Sequence, residues 1–202
     1  MKKTYLALAL MLGVASAAQA QSATFGIKAG ASLTNYTGKG ADGADYKFGF
    51  HGGLVANLAV NDAFSIQPEL LYSMKGAKTT INFLGTNVNF KETLHYIDVP
   101  VLAHINAGGL FFELGPQVGF LVAAKGSIDA NGQSDSGDIK SDFKTVDFGY
   151  AAGLGYQVAN GPGIGLRYNG GFIDVSKNDS NSDYATRNGA FQLYLTYMFG
   201  GK

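Results

Sequence analysis

Hydrophobic and polar residues alternate along most of this chain, and the alternation is cleanest near its end. Phe191, Leu193, Leu195, Tyr197 and Phe199 fall on one side, and Gln192, Tyr194, Thr196 and Met198 on the other. The same period of two sets Leu110, Phe112, Leu114, Val118, Phe120 and Val122 against Glu113, Gly115, Gln117 and Gly119. It also sets Val146, Phe148, Leu154 and Tyr156 against Asp147, Gly149, Gly153 and Gln157. A two-residue period is the signature of strands with two unlike faces. It predicts eight strands, over residues 24–35, 46–58, 63–75, 93–105, 110–124, 144–158, 164–176 and 189–199.

The connections alternate as well. Short ones carry hairpin-turn residues, as in Val60-Asn61-Asp62, Asn106-Ala107-Gly108-Gly109 and Ala159-Asn160-Gly161-Pro162-Gly163. Long ones, over 37–45, 76–92, 125–143 and 177–188, are rich in Gly, Ser, Asn and Asp. An even number of long strands, with short turns at one end and long loops at the other, predicts an all-β, eight-stranded antiparallel up-and-down transmembrane β-barrel. Short periplasmic turns, long extracellular loops and a filled polar lumen complete that expectation, since eight strands enclose room only for side chains.

The apolar face could instead be the inside of a soluble barrel. The other face would then meet water and should be dense in Lys and Glu, yet it is mostly Gly, Ser, Thr and Gln with isolated charges. The membrane reading fits better. Tyr36, Tyr46, Tyr72, Tyr96, Tyr168 and Tyr197 are candidates for aromatic girdles.

Composition sharpens this picture. The chain has 202 residues, of which 29 are glycine, about twice the ordinary share, which disfavours helices and suits close-packed strands. Met1-Lys2-Lys3, an apolar run and Ala18-Gln19-Ala20 read as an export signal over residues 1–20, leaving 21–202 as the barrel domain. Cysteine is absent, which removes disulfides, thiolate metal sites and a Cys nucleophile. Fifteen basic residues balance fifteen acidic ones, so nothing points to nucleic acid.

The luminal face collects the candidate site. Lys28, Glu69, Asp98, Glu113 and Arg167 are expected to form a deep ion-pair network, with Lys47, Lys75 and Asp147 nearer the outer rim. Buried charges need partners, and four cations meet four anions here. Strands 63–75 and 164–176 are opposite in an eight-strand ring, so Glu69 and Arg167 should meet across the lumen, with Lys28 or His51 as rival partners for Glu69. Pro68, Pro100 and Pro116 within strands should mark bulges or missed ladder bonds.

Other chemistry is weak. His51, His95 and His104 lack metal-site spacing, and no catalytic, cofactor or metal residue is assigned. The run Asp129-Ala130-Asn131-Gly132-Gln133-Ser134-Asp135-Ser136-Gly137-Asp138 lacks the closing glutamate of a calcium loop and reads as a solvated mobile loop.

Several segments together resemble the PorT-like outer-membrane β-barrel domain family of Gram-negative bacteria. They include Phe25-Gly26-Ile27-Lys28-Ala29-Gly30, Ser65-Ile66-Gln67-Pro68-Glu69-Leu70-Leu71-Tyr72-Ser73, His95-Tyr96-Ile97-Asp98-Val99-Pro100, Glu113-Leu114-Gly115-Pro116-Gln117-Val118-Gly119, Gly165-Leu166-Arg167-Tyr168 and the final strand. The resemblance implies an integral, porin-like protein of the cell outer membrane, with membrane lipid as its surroundings and the barrel assembly machinery as a partner during biogenesis. The functional expectation is a monomeric, non-enzymatic structural or surface-interaction protein that contacts an extracellular ligand through its loops. The alternatives are a narrow porin for small solutes and a lipid-modifying enzyme.

Overall fold

The computed structural model describes residues 23–83, 86–130, 133–158, 161–177 and 185–199. The expected export signal at 1–20, the residues after Phe199 and most of the 177–188 connection lie outside them. One antiparallel sheet contains ten strands: β1 (Ala23–Thr37), β2 (Lys47–Ala59), β3 (Phe64–Lys75), β4 (Lys78–Phe83), β5 (Thr86–Ala107), β6 (Leu110–Ala130), β7 (Gln133–Asp138), β8 (Val146–Gln157), β9 (Pro162–Gly171) and β10 (Arg187–Phe199). Eight close a ring in the order β1-β2-β3-β5-β6-β8-β9-β10, and β10 pairs back onto β1 from Phe25↔Phe199 to Thr37↔Arg187.

β4 and β7 stand outside the ring. β4 pairs with the start of β5, and β7 with the end of β6, so much of the expected loops 76–92 and 125–143 is paired hairpin rather than loop. The 133–138 part of the calcium-like run is likewise strand, and all six of its residues are exposed. Hydrophobic alternation could not reveal these strands, because it records a contrast between two environments and both faces here meet water. The expected strand 164–176 stops at Gly171. Beyond it the chain turns inward, burying Val175 completely.

Along the ring strands, parity divides the side chains. Leu54, Leu114 and Leu195 are 60 %, 60 % and 63 % exposed, whereas Lys28, Glu69 and Arg167 are at most 4 % exposed. Leucines this bare over a whole circumference require an apolar surrounding medium. No helix among the described residues is long and apolar enough to cross a membrane, so the strands carry the span. A chain of outward rings, Tyr46–Phe191–Tyr168–Tyr150–Phe172–Phe148, runs with neighbouring centroids 4.8–6.4 Å apart. Two expected girdle residues do not join the outer surface. Tyr96 is fully buried, and Tyr36 packs inward and donates to Glu92 at 2.7 Å.

The prolines interrupt ladders without shifting them. β3–β5 pairing stops after Pro68↔Val101 and resumes at Leu71↔Asp98 in the same register. β5–β6 pairing stops after Pro100↔Gln117 and resumes at Ala103↔Leu114, a gap that also contains Pro116. Proline has no N–H to donate, so bonds are missed without an inserted residue. The register shift in that ladder falls elsewhere, between His95 and Tyr96.

At the hairpin end Leu94, Tyr96, Leu121, Ala124, Phe143 and Val175 form a buried apolar cap, with Tyr36 and Ile139 packed against it. At the turn end the lumen opens into a cavity of about 560 Å³ reached by Lys28, Gln67, His104, Tyr194 and Thr196.

Arginine on the outward surface tests the orientation of the faces. Leu166→Arg, with the side chain now 58 % exposed on that surface, should lower unfolding stability in lipid vesicles by about 2–4 kcal/mol. Leu166→Ile should stay near wild type, and equal urea midpoints for the two variants would contradict a lipid-facing position.

Candidate functional site

Arg167 projects from β9 into the lumen and is held by carboxylates from two other strands. Its Nη1 and Nη2 donate to Glu69 Oε2 and Oε1 at 2.8 and 2.9 Å, and its Nε and Nη2 to Glu113 Oε1 and Oε2 at 2.6 and 2.8 Å. Lys28 Nζ donates to Glu69 Oε1 at 2.6 Å and lies 3.8 Å from Glu113 Oε2. Gln67 Nε2 donates to the same Glu69 oxygen at 2.9 Å, and the Tyr194 hydroxyl donates to Glu113 Oε1 at 2.8 Å. Two cations and two anions thus balance, with every charged side chain at most 1 % exposed.

Five ring strands contribute to this cluster, β1, β3, β6, β9 and β10. β3 and β9 are opposite in the ring, and the Arg167–Glu69 contact crosses the lumen. Lys28 also reaches Glu69, while His51 does not. His51 Nδ1 instead hydrogen-bonds Ser32 Oγ at 2.9 Å, and its Nε2 has no partner.

Glycine makes these contacts geometrically possible. Gly153 lies between Glu113 on β6 and Arg167 on β9 in the pairing registers. A Cβ there would come within 2.7 Å of Glu113 Oε1. Tyr194 lies between Gly30 and Gly165, and a Cβ on Gly165 would meet its ring at 2.4 Å. The ring lies 4.0 Å from Lys28 Nζ and 5.2 Å from Arg167 Cζ, so it offers both cations a π face.

Asp98 does not join this group. Lys75 Nζ is 2.9 Å from Asp98 Oδ1 and 3.4 Å from Asp147 Oδ2, which puts Asp98 with the rim charges instead. Gly119 pairs with Asp98 on one side and Asp147 on the other, so the two acids share a row. Counting residues from the turns misplaces such a row, because barrel strands tilt and stagger. Lys47 forms no ion pair among the described residues, and its ammonium donates to the Lys75 carbonyl at 3.1 Å.

Several contributors had no role assigned from sequence. Gln67, Tyr194 and Ser32 lie on luminal parity, which was the available signal, whereas Asn188 fell in the expected 177–188 connection that β10 in fact extends into; the partners of all four depend on barrel register. The Ser32–His51 pair is the nearest thing to a nucleophile and base. Both residues are 2 % exposed, and among the described residues no carboxylate bonds the histidine to orient it. His104 stacks on Phe111 with centroids 4.6 Å apart, opposite Glu113 in the ladder. His95 bonds the Tyr72 hydroxyl.

Outside the span, Asp174 organises the connection after β9. It accepts from the backbone N–H groups of Ser176 and Thr186 at 3.1 and 3.0 Å, and from Lys144 Nζ at 3.2 Å. Burial pushes its carboxyl up, but the Thr186 and Ser176 N–H groups and the Lys144 ammonium outweigh that and hold it below the ordinary carboxylate value.

An apolar exterior wrapped around a hydrogen-bonded charged interior, in a closed ring of eight antiparallel strands, defines a membrane-spanning β-barrel. The chain belongs to the outer membrane protein beta-barrel domain family, whose model matches residues 18–177, and the protein is an integral protein of the cell outer membrane. No curated protein sequence matches it. In fold it is similar to the Neisserial surface protein A (NspA), with 15 % identity, a TM-score of 0.53, and coverage of 89 % of this chain and 100 % of that one. It is also similar to Ail, the attachment invasion locus protein of Yersinia pestis, with 17 % identity, a TM-score of 0.45, and coverage of 88 % and 99 %.

Removing the central cation should leave one buried carboxylate uncompensated, because Lys28 pairs with Glu69. Arg167→Met is expected to cost about 3–5 kcal/mol in vesicle unfolding, and adding Glu113→Gln, which leaves Lys28 paired with Glu69, should recover most of the loss. For Asp174 the folded-state value is depressed, so its stabilisation is present above the ordinary carboxylate range and disappears as pH falls through the lowered value. Amide exchange at Ser176 and Thr186 should accelerate on that descent, and Asp174→Asn should flatten the response.

Proposed function

We propose that the protein is a non-conducting, non-enzymatic structural or surface-interaction barrel that offers its external hairpins to an extracellular ligand. The observation that carries this reading is the cross-lumen clamp of Arg167 on Glu69 and Glu113, fully buried and joined to Lys28. Side chains occupy the cross-section through which a solute would pass. The apolar cap adds a second obstruction above it. The extension of β4 to β7 beyond the ring supplies a surface for contact. In this reading the barrel works as a monomer surrounded by outer-membrane lipid, and it meets the assembly machinery only while folding. The PorT-like subgroup and the export signal at 1–20 are part of the proposal and rest on the sequence segments alone.

A narrow porin is the second reading. The cavity of about 560 Å³ at the turn end favours it by giving half a passage. Planar-bilayer recording separates the two. The wild-type barrel should show no steady single-channel current. Steady wild-type currents would establish the porin reading instead.

A further inference from the structure

Between the central clamp and the apolar cap lies a second polar group, and it is not internally satisfied. Lys75 faces two carboxylates, Asp98 at 2.9 Å and Asp147 at 3.4 Å, which leaves one negative charge over. Lys47 is the other cation at this end, and it is tied to a backbone carbonyl rather than to either acid. Asp147 Oδ1, Gln117 Oε1, Asn169 Oδ1 and Asn188 Oδ1 are all buried without a hydrogen-bond partner.

These orphans converge. Gln117, Asp147, Asn169 and Asn188 line one small cavity together with Lys75, and each of the four is at most 5 % exposed. The orientation of Asn188 is set by its Nδ2, which donates to Asp147 Oδ2 at 2.8 Å and to the Tyr96 hydroxyl at 3.4 Å, so its orphan is the oxygen. Gly149 and Gly171 pair directly on luminal parity and leave the wall bare beside it. The free space is about 10 Å³, the room one small occupant needs.

Asp147 Oδ1 and Asn188 Oδ1 are acceptors that cannot satisfy each other, and the Gln117 and Asn169 amides can each turn an oxygen to the same space. A water carries no charge and leaves the excess negative charge in place. Hard cations take carboxylate and amide oxygens together. A divalent ion would confront the Lys75 ammonium, which already sits on the same Asp147 carboxylate. A single monovalent ion cancels the surplus. We propose that Asp147, Gln117, Asn169 and Asn188 form a luminal site for one monovalent hard cation of the Na⁺ class. The site does not depend on the proposed surface role.

The test uses the folded full barrel in lipid vesicles. NaCl is exchanged for choline chloride at constant ionic strength, and urea midpoints are recorded. Above half-saturation each tenfold rise in Na⁺ should add a constant increment to the midpoint. Asp147→Asn and Asn169→Leu should abolish that slope, and the exposed Asp42→Asn should keep it. Wild-type crystals soaked in Tl⁺ should give an anomalous peak at Asp147 and Asn188. A flat Na⁺ response, a slope that survives both luminal variants, or density without anomalous signal would overturn the site. Ca²⁺ acting at lower concentration than Na⁺ would overturn the monovalent assignment.

Discussion

The barrel is organised around a guanidinium that has lost all contact with water. Desolvating such an ion is costly, and the cost is offset only if every donor is met in good geometry. Arg167 approaches that condition with four N–H···O bonds to two carboxylates, a forked arrangement arginine makes and lysine cannot. Glu69 then needs a further cation and a further donor, which Lys28 and Gln67 supply, and Glu113 needs the Tyr194 hydroxyl. Each requirement recruits a residue from another strand. A polar network therefore does for this lumen what apolar packing does for a soluble core.

Space in the ring is rationed by glycine. A large or charged luminal side chain recurs beside a neighbouring-strand position that carries none, as with Arg167 and Glu113 at Gly153, Asp98 and Asp147 at Gly119, and Tyr194 at Gly30 and Gly165. A methyl group at several of these positions would overlap a neighbour's oxygen or ring. The unusual glycine content follows from the small diameter of an eight-strand ring rather than from turn chemistry alone.

Much of this was legible before any coordinates. Parity alone assigned Glu69, Glu113, Lys28 and Arg167 to the interior, because a period of two survives any tilt of the strand. Opposition of strands around the ring then brought Glu69 to Arg167. The vertical placement of Asp98 was not legible, since height in a staggered barrel depends on inter-strand register, which one strand's sequence does not carry. The hairpin strands β4 and β7 were hidden for a different reason: Gln133 to Asp138 has water on both sides, and no contrast marks it as strand. The prolines were half legible. Their missing donor announced a flaw in a ladder, but only the pairing shows that the ladder skips rather than shifts.

The seam between β1 and β10 has a consequence for how the molecule comes into being. Ile27 faces Tyr197, and Leu33 faces Phe191, so the bonds that close the cylinder join stretches separated by most of the polypeptide. Such distant pairing carries the largest loop-closure entropy in the molecule. Every other wall can grow from a neighbour, but until β10 arrives the sheet keeps two raw edges. On loop-closure grounds this seam is the costliest wall to form, and it leaves the edges of β1 and β10 unpaired until they meet.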